Sequence, residues 1–248
     1  MKDVIYIPSP NWNERPTGIE IDTVVIHYTG MENGDAALKR LCDPAAEVSA
    51  HYMIEEDGRL FQMVDEEKRA WHAGVSNWCG RENINHNSIG IELVNPGHEF
   101  GYRAFPKPQI ERLISLLSHL KSCYNITENG YVGHSDIAPG RKLDPGPLFP
   151  WKLLAENGFG LWPSCDGKNL STVMMDGQEN DPKSGYAIKL NKQLGIVGYH
   201  LDDIQSFDAT HQSVVRAFQA HWRPETVSGQ VDIGTAMVLE DIAGQIRQ

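Results

Sequence analysis

The sequence predicts an α/β fold, in which helices flank a mixed central β-sheet, followed by a second, small domain of three helices. Three observations support this prediction: a nearly continuous β-branched run at residues 21–28, an amphipathic helical pattern at 108–124, and three short helical patterns after residue 186. Strands buried on both faces are typical of layered α/β sheets, and an apolar stripe marks a helix that packs on one face. The 248 residues are enough for two domains.

The strands are predicted from short-range patterns. Residues 21–28 (IDTVVIHY) and 89–94 (IGIELV) have the composition of buried strands. Residues 49–54 and 59–64 flank a Glu-Glu-Asp-Gly turn, so they predict a β-hairpin in which Gly58 supplies the positive φ angle.

The helices are predicted from apolar spacing. Positions 110, 113, 114, 117 and 120 form one apolar helix face, and Pro106 and Pro108 suit the start of that helix, which we expect to pack on the sheet. Residues 157–185 contain five glycines and two prolines with little periodic hydrophobicity. We therefore expect a first domain at 1–163, a linker at 164–185 and a helical domain at 186–248 whose aromatic side chains form its core.

Composition excludes several classes of function. The chain has 33 acidic and 22 basic side chains and a net charge of −11, which disfavours binding to nucleic acid. Since no apolar run approaches the roughly 18 residues that cross a bilayer, we expect no membrane span. The first residues lack the apolar stretch of an export signal, which favours a cytoplasmic protein, or a periplasmic or envelope protein if a leader was removed. Four cysteines without a CxxC pair predict free thiols.

The segment GHSDIAPGRKLDPGP at residues 133–147 is a stiff polar loop that carries His134 and Asp144. His27 lies near the end of the most hydrophobic strand, where an unpaired imidazole is costly to bury and where α/β proteins build sites. If these three side chains converge, two imidazoles and a carboxylate leave a zinc ion one open position, as catalytic zinc requires. A solvated loop and a hydrogen-bonded core histidine are the alternatives at this point.

Five blocks, in chain order, resemble the zinc-dependent N-acetylmuramoyl-L-alanine amidase family, whose fold is shared with T7-type lysozyme and the peptidoglycan recognition proteins. They are VVIHYTG, SAHYMIEEDGRLFQMV, RAWHAGVS, SIGIELVN and GHSDIAPGRKLDPGP, and the likeness covers about residues 20–163. The resemblance implies one zinc ion per chain, held by His27, His134 and Asp144. It also implies cleavage of the amide between N-acetylmuramic acid, or its 1,6-anhydro form, and L-alanine of the stem peptide in cell-wall turnover or recycling.

The same resemblance implies two catalytic residues. The family's catalytic glutamate matches Glu92, and its lysine two positions before the aspartate ligand matches Lys142. A carboxylate on a strand otherwise suited to burial fits general acid-base chemistry, and a lysine beside the metal fits stabilisation of an oxyanion. The structural alternatives are that Glu92 is a glutamate at the rim, paired with an arginine, and that Lys142 is a solvated lysine.

Further residues are expected to shape the substrate cleft. His51, Trp71 and His72 lie in family blocks but not at ligand positions, so we interpret them as cleft-wall or ligand-supporting residues. Arg69 and Arg81 are expected to attract an anionic stem peptide. Core packing for Trp71 and solvated surfaces for the arginines are the alternatives.

The segments LGIVGY, SVVRAFQ and SGQVDIGT, at about residues 186–245, resemble the small peptidoglycan-binding helical domain of cell-wall hydrolases. A capping or dimerisation bundle is the alternative. For the whole chain, the rival hypotheses are a recognition protein that binds peptidoglycan without cutting it and a cysteine hydrolase that uses Cys79. The preference between intact sacculus and anhydro-muropeptide, the stem-peptide specificity and the oligomeric state do not follow from the sequence.

Overall fold

In the part of the chain that the structure describes, six strands form the central sheet and four more form two small ribbons. The computed structural model describes residues 3–165, 185–205 and 207–247. The strands are β1 (Val4–Tyr6), β2 (Trp12–Glu14), β3 (Thr23–Tyr28), β4 (Tyr52–Ile54), β5 (Leu60–Gln62), β6 (Lys68–Ala70), β7 (Asn77–Trp78), β8 (Arg81–Glu82), β9 (Ser88–Leu93) and β10 (Tyr131–Gly133). The helices are α1 (Gly34–Leu41), α2 (Gly97–Phe100), α3 (Lys107–Cys123), α4 (His134–Ile137), α5 (Trp151–Glu156), α6 (Gly185–Val197), α7 (Ala209–Trp222) and α8 (Ile233–Ile246).

The central sheet has the order β1-β5-β4-β9-β3-β10 and is mixed, as expected. Only the β4–β5 pair is antiparallel, while β3 pairs in parallel with both β9 and β10. The carboxyl ends of β3, β9 and β10 therefore meet at one edge of the sheet. Such an edge is where open α/β sheets place their ligand sites.

The predicted hairpin is confirmed. β4 and β5 are joined by a turn closed by the Gly58 N–H donating to the Glu55 carbonyl at 2.9 Å. Gly58 has φ +89°, and a Cβ there would lie 3.0 Å from the Pro108 carbonyl oxygen. Glycine is thus required both for the backbone conformation and for the close approach of α3.

Two cores lie on opposite faces of β3, because alternate side chains of a strand point to opposite sides. Val24 and Ile26 belong to the core that α3 covers, where Leu113 and Leu117 of the predicted helix face are fully buried. Val25 belongs to the other core, which the C-terminal helices cover.

The C-terminal part of the chain contains the three predicted helices, α6, α7 and α8. Their aromatic side chains Phe207, Phe218 and Trp222 are buried in one core with Val25 and Val132 of the sheet. The helices therefore pack directly on the first domain. Most of the predicted linker, at positions 166–184, lies outside the described residues. No helix in the described ranges combines the length and apolar character needed to cross a bilayer.

Candidate metal centre and active site

Three side chains converge at the edge where β3 and β10 end. His27 is the penultimate residue of β3, His134 follows β10 as the first residue of α4, and Asp144 lies in the loop that follows. His27 Nδ1 is 2.9 Å from His134 Nδ1 and 3.0 Å from Asp144 Oδ2, and His134 Nδ1 is 3.1 Å from the same oxygen. All three residues are buried. Among the described residues, no other group of three His, Cys, Asp or Glu side chains comes this close.

This arrangement fits a metal ion better than a set of hydrogen bonds. A single proton can bridge one of the three contacts, but the remaining lone pairs then face each other without a donor. The three atoms lie 2.9–3.1 Å from one another, so His27, His134 and Asp144 could hold a single zinc ion together. Two imidazoles and one carboxylate are a common donor set of catalytic zinc, and the exposed side stays open.

The electrostatics keep His27 and Asp144 in the forms that bind metal. Burial, followed by the neighbouring His134, lowers the pKa of His27 to about 4, so its imidazole is neutral near pH 7. Burial raises the pKa of Asp144, but the His134 and His27 rings outweigh this and hold it well below its ordinary value. Neutral imidazoles and an ionised carboxylate are the ligand states.

The outer nitrogen of His134 is held by the main chain. His134 Nε2 donates to the Ala73 carbonyl at 3.0 Å, which directs the lone pair on Nδ1 towards the other ligands. Arg141 donates to the same carbonyl at 2.6 Å. A histidine ligand that donates its second N–H to a carbonyl has a fixed tautomer and ring orientation.

A chain of hydrogen bonds holds the outer nitrogen of His27. The Ser88 hydroxyl donates to the Ile84 carbonyl at 2.6 Å, so its oxygen accepts from His72 Nε2 at 3.2 Å. His72 Nδ1 then accepts from His27 Nε2 at 3.1 Å. The direction of each bond follows from the one before it, and the chain ends with the His27 Nδ1 lone pair facing the metal centre.

Gly90 makes room for this chain. A Cβ atom on Gly90 would lie 2.4–2.7 Å from three ring atoms of His72, which is closer than atoms pack. The glycine of the IGIEL segment is therefore explained by the ring beside it. Burial, and after it the His27 ring, lowers the pKa of His72, so this ring is neutral and accepts the hydrogen bond.

Glu92 lies opposite His27 in the parallel register of β9 and β3. Its Oε2 is shielded from solvent and has no hydrogen-bond partner among the described residues. Burial, followed by the charge of Asp144, raises the pKa of Glu92 well above its ordinary value, whereas Lys142 acts in the opposite direction. This carboxyl group can therefore hold or release a proton near the metal centre.

These side chains line one cleft of about 420 Å³. Its wall includes Trp71 and His72, together with Glu92 and Lys142. Sequence reasoning missed Tyr28 and His98, which also line the cleft and are joined by a 2.8 Å hydrogen bond from the Tyr28 hydroxyl to His98 Nδ1. Tyr28 directly follows His27 as the last residue of β3, and His98 lies in α2, the next helix after β9, so their places at or just beyond strand ends were the available signal.

Three residues expected in the cleft lie elsewhere. His51 is fully buried behind His72, where its Nδ1 accepts from the Gly90 N–H at 2.9 Å and its Nε2 donates to the Lys68 carbonyl at 3.0 Å. Arg69 bonds Asn13 and Asn83 and lines a separate groove. Arg81 forms an ion pair with Asp22. None of the three lines the cleft, because the side chains and backbone around them hold them elsewhere. Arg141 does line the cleft.

Asp136 connects the metal centre to the C-terminal helices. It lies two positions after His134, and its Oδ2 accepts from the Gly133 N–H at 2.7 Å, which fixes the start of α4. Its Oδ1 accepts from the Tyr199 hydroxyl at 2.6 Å, and His221 Nδ1 donates to Oδ2 at 2.7 Å. Sequence reasoning gave Asp136 no role, because its partners lie 63 and 85 positions away.

Comparisons with known proteins agree with this geometry. The family model described as "N-acetylmuramoyl-L-alanine amidase" matches residues 17–147. The amidase AmiD of Escherichia coli is 35% identical over 232 residues, covering 89% of this chain and 81% of AmiD. The 1,6-anhydro-N-acetylmuramyl-L-alanine amidase AmpD of E. coli is 38% identical over 162 residues, covering 58% of this chain and 86% of AmpD.

Two solved structures have the same fold over almost the whole chain. AmiD from E. coli, in complex with the substrate anhydro-N-acetylmuramic acid-L-Ala-D-γ-Glu-L-Lys, aligns with a TM-score of 0.78 at 32% identity over 94% of this chain and 93% of that one. AmpDH3 from Pseudomonas aeruginosa, in complex with anhydromuramic pentapeptide, aligns with a TM-score of 0.77 at 33% identity over 96% of this chain and 98% of that one. The chain belongs to the N-acetylmuramoyl-L-alanine amidase family.

Proposed function

We propose that this amidase cleaves the amide between the lactyl group of N-acetylmuramic acid, or of its 1,6-anhydro form, and L-alanine of the stem peptide, with one zinc ion held by His27, His134 and Asp144. The observation that carries the proposal is the close approach of the His27, His134 and Asp144 ligand atoms at the end of the sheet where Glu92 Oε2 is shielded and, among the described residues, has no hydrogen-bond partner. The anhydromuramyl peptides bound to AmiD and AmpDH3 support the substrate class.

The chemistry divides between the metal and the protein. When bound, zinc supplies the Lewis acidity that polarises a carbonyl and makes water acidic near neutral pH. Glu92 accepts the proton of the attacking water at Oε2. As the new C–O bond forms and the C–N bond breaks, Glu92 returns that proton to the leaving amine of L-alanine.

Lys142 supplies positive charge on the same side of the cleft. It lines the cleft and, within the described part of the chain, forms no ion pair that would neutralise it. Its ammonium group donates to the scissile oxygen as negative charge develops there. His72 does not touch substrate in this mechanism; it orients His27 through the hydrogen bond to Nε2.

The rival hypotheses receive less support. A protein that only recognises peptidoglycan has no need of a shielded carboxyl group next to three converging ligands. Cys79, the nucleophile of the other hypothesis, lies outside the cleft. Partial removal of its thiol from water raises the pKa of the thiol, and Asn129 donates to its sulfur at 3.5 Å. A cysteine nucleophile requires the opposite shift in pKa.

For the domains, we propose a catalytic unit at 1–163 and a helical unit at 186–248 that docks on it. The shared core of Val25, Val132, Val214 and Phe218 supports docking of the helical unit. Affinity of this unit for peptidoglycan is a separate proposal, tested by comparing how wild type and variants pellet with insoluble sacculi.

One set of experiments tests the function. Metal analysis of the purified protein is expected to give one zinc per chain, and His134→Ala is expected to lose it, because one of three protein ligands is gone. Mass spectrometry of soluble anhydro-muropeptides and of sacculi after treatment is expected to show peptides that begin at L-alanine. A chelator is expected to stop this release and added zinc to restore it. Full zinc occupancy in His134→Ala, or peptide release that is insensitive to the chelator, contradicts the proposal.

A further inference from the structure

Another groove, distinct from the one that Arg69 lines, lies between the catalytic unit and the helical unit and adjoins the active-site cleft. The two cavities share His98, Lys142 and Leu143 in their linings. The groove has a volume of about 430 Å³. Its far side consists of residues from α7 and the segment after it, namely Ser213, Arg216, Ala217, Ala220 and Val227. A substrate that leaves the metal centre past Lys142 therefore enters a groove built in part by the C-terminal helices.

The walls of this groove are mostly apolar. The side chains of Leu143 and Val227 are 58% and 39% exposed, respectively, so both offer apolar surface to a ligand. Ala217 and Ala220 of α7 also line the groove and are small and buried. Sugars commonly stack against aromatic side chains, and His98 is the one aromatic ring among the described lining residues. This lining suits the aliphatic parts of a peptide better than a glycan strand.

The charge of the groove is positive. Lys142 and Arg216 line it, and none of the described residues in its lining is acidic. Arg216 is exposed and has no ion pair or hydrogen bond with any described residue, while its side chain passes over Gly229, where a Cβ would lie 2.8 Å from its Cγ. In a chain with a net charge of −11, an unpaired cation at a groove next to the active site gives a local attraction for anions.

We propose that this groove binds the acidic stem peptide of the substrate and that the Arg216 guanidinium pairs with a free carboxylate of that peptide. The proposal rests on the proposed function and extends it to the peptide side of the scissile bond. The substrate bound to AmiD contains a γ-linked glutamate directly after L-alanine, and a γ-linkage leaves the α-carboxylate free. Arg216 is thus a residue that determines specificity, and it contributes to binding rather than to the chemical step.

The test compares Arg216→Gln with wild type on two soluble substrates, anhydro-N-acetylmuramic acid-L-Ala-D-γ-Glu-L-Lys and anhydro-N-acetylmuramic acid-L-Ala. We expect Arg216→Gln to raise KM for the longer substrate about 3- to 10-fold, because the ion pair is partly exposed, and to leave kcat within about 2-fold. We expect no change for the shorter substrate, which does not reach the groove. Arg216→Lys is expected to restore part of the lost affinity.

A third substrate isolates the charge. Amidation of the glutamate α-carboxylate in the longer substrate is expected to raise KM for wild type and to leave Arg216→Gln unaffected. Arg247→Gln is the matched control, because Arg247 is an exposed arginine of the same helical unit outside the groove lining. Thermal unfolding and zinc content of every variant are expected to equal those of wild type.

The outcomes separate the two proposals. Equal effects of Arg216→Gln on the long and short substrates, or no effect on either, overturn the groove assignment while cleavage by wild type leaves the proposed function intact. Weaker pelleting of Arg216→Gln with sacculi, with KM for the long substrate unchanged, also overturns it in favour of a glycan-binding groove. If wild type releases no peptide that begins at L-alanine from any substrate, the proposed function itself fails.

Discussion

His221 donates a hydrogen bond from Nδ1 to Asp136 Oδ2 at 2.7 Å, and the two side chains are 2% and 1% exposed. The rings of Trp151 and Trp222 stack on the His221 imidazole, each with its centroid 3.7 Å away. The contact joins α7 to the short helix that begins with the proposed ligand His134. Because removing one member of a buried polar pair leaves the other without a partner, the helical unit is energetically coupled to the metal centre.

This coupling predicts the effect of Tyr199→Phe, which removes a buried hydroxyl and preserves the ring. We expect the free energy of unfolding to fall by about 1–3 kcal/mol, because the buried Asp136 Oδ1 loses the hydrogen bond that the Tyr199 hydroxyl donates to it. Urea unfolding at neutral pH measures the change. Tyr6→Phe is the control, since Tyr6 is 57% exposed and is expected to give less than about 0.5 kcal/mol. Equal losses in the two variants contradict the prediction.

A chain shortened to end at Cys165 is expected to be unstable and to bind zinc poorly. Removing the helical unit exposes Trp78, Ile84, Val132 and Ile137, which share a core with it, and strips Asp136 of two partners. Dye binding to exposed apolar surface, circular dichroism and zinc analysis of the shortened chain test it. A monomeric, zinc-loaded fragment that cleaves soluble muropeptides contradicts it.

Glu92→Gln is expected to retain zinc and the fold but to lower kcat by about 10²- to 10⁴-fold, because the amide cannot take and return a proton. Steady-state kinetics on a soluble anhydro-muropeptide, together with metal analysis, measure both effects. Glu99→Gln is a matched control, since Glu99 also lines the cleft but is not placed beside the metal ligands. A kcat for Glu92→Gln within about threefold of wild type removes Glu92 from the mechanism.

His72→Phe is expected to weaken zinc binding about 10- to 100-fold, because His27 Nε2 loses its acceptor while the aromatic ring is preserved. Gly90→Ala is expected to act in the same direction by displacing the His72 ring. Competition with a chromogenic chelator measures the zinc dissociation constant. His119→Phe on α3 provides the comparison, and its constant is expected to stay at the wild-type value. Unchanged zinc affinity in both His72→Phe and Gly90→Ala refutes the orienting role of His72.

The lowered pKa of Asp241 predicts that this residue contributes to the free energy of unfolding and that acid removes the contribution. Burial raises the pKa of Asp241, but hydrogen bonds from the Cys165 backbone, Gln245 and Ser164 outweigh it and lower the pKa from 3.8 to about 2. The folded-state pKa lies below the unfolded one, so this stability is present above about pH 4 and is lost as the pH falls through 2. Because Asp241 is partly exposed, we expect Asp241→Asn to cost about 1 kcal/mol at pH 7.

Urea unfolding of wild type and Asp241→Asn at pH 7, 4.5 and 2.5 measures this contribution. The difference between the two proteins is expected to shrink as the pH falls. A difference that stays constant over this range contradicts the assignment.

The sequence by itself determined the elements whose pattern is local. The β-branched run of β3, the turn at Gly58, the apolar face of α3 and the three C-terminal helices were all predicted, with their ends moved by a few residues. The family likeness also indicated His27, His134 and Asp144 as a ligand set. The predicted strands, turn and helices depend on neighbours a few positions apart, where periodicity and turn chemistry dominate.

Only the tertiary structure decided which of these features touch. His27 and His134 are 107 positions apart, and their 2.9 Å contact follows from the parallel pairing of β3 with β10. Long-range packing also decides three other features. It buries His51, it gives Arg69 and Arg81 partners that are distant in sequence, and it requires glycine at position 90. An apolar pattern indicates that one face of a helix or strand is buried, but it does not indicate which element covers that face. Only the folded chain therefore shows that the C-terminal helices dock on the sheet and that they contact Asp136, two positions after the proposed ligand His134.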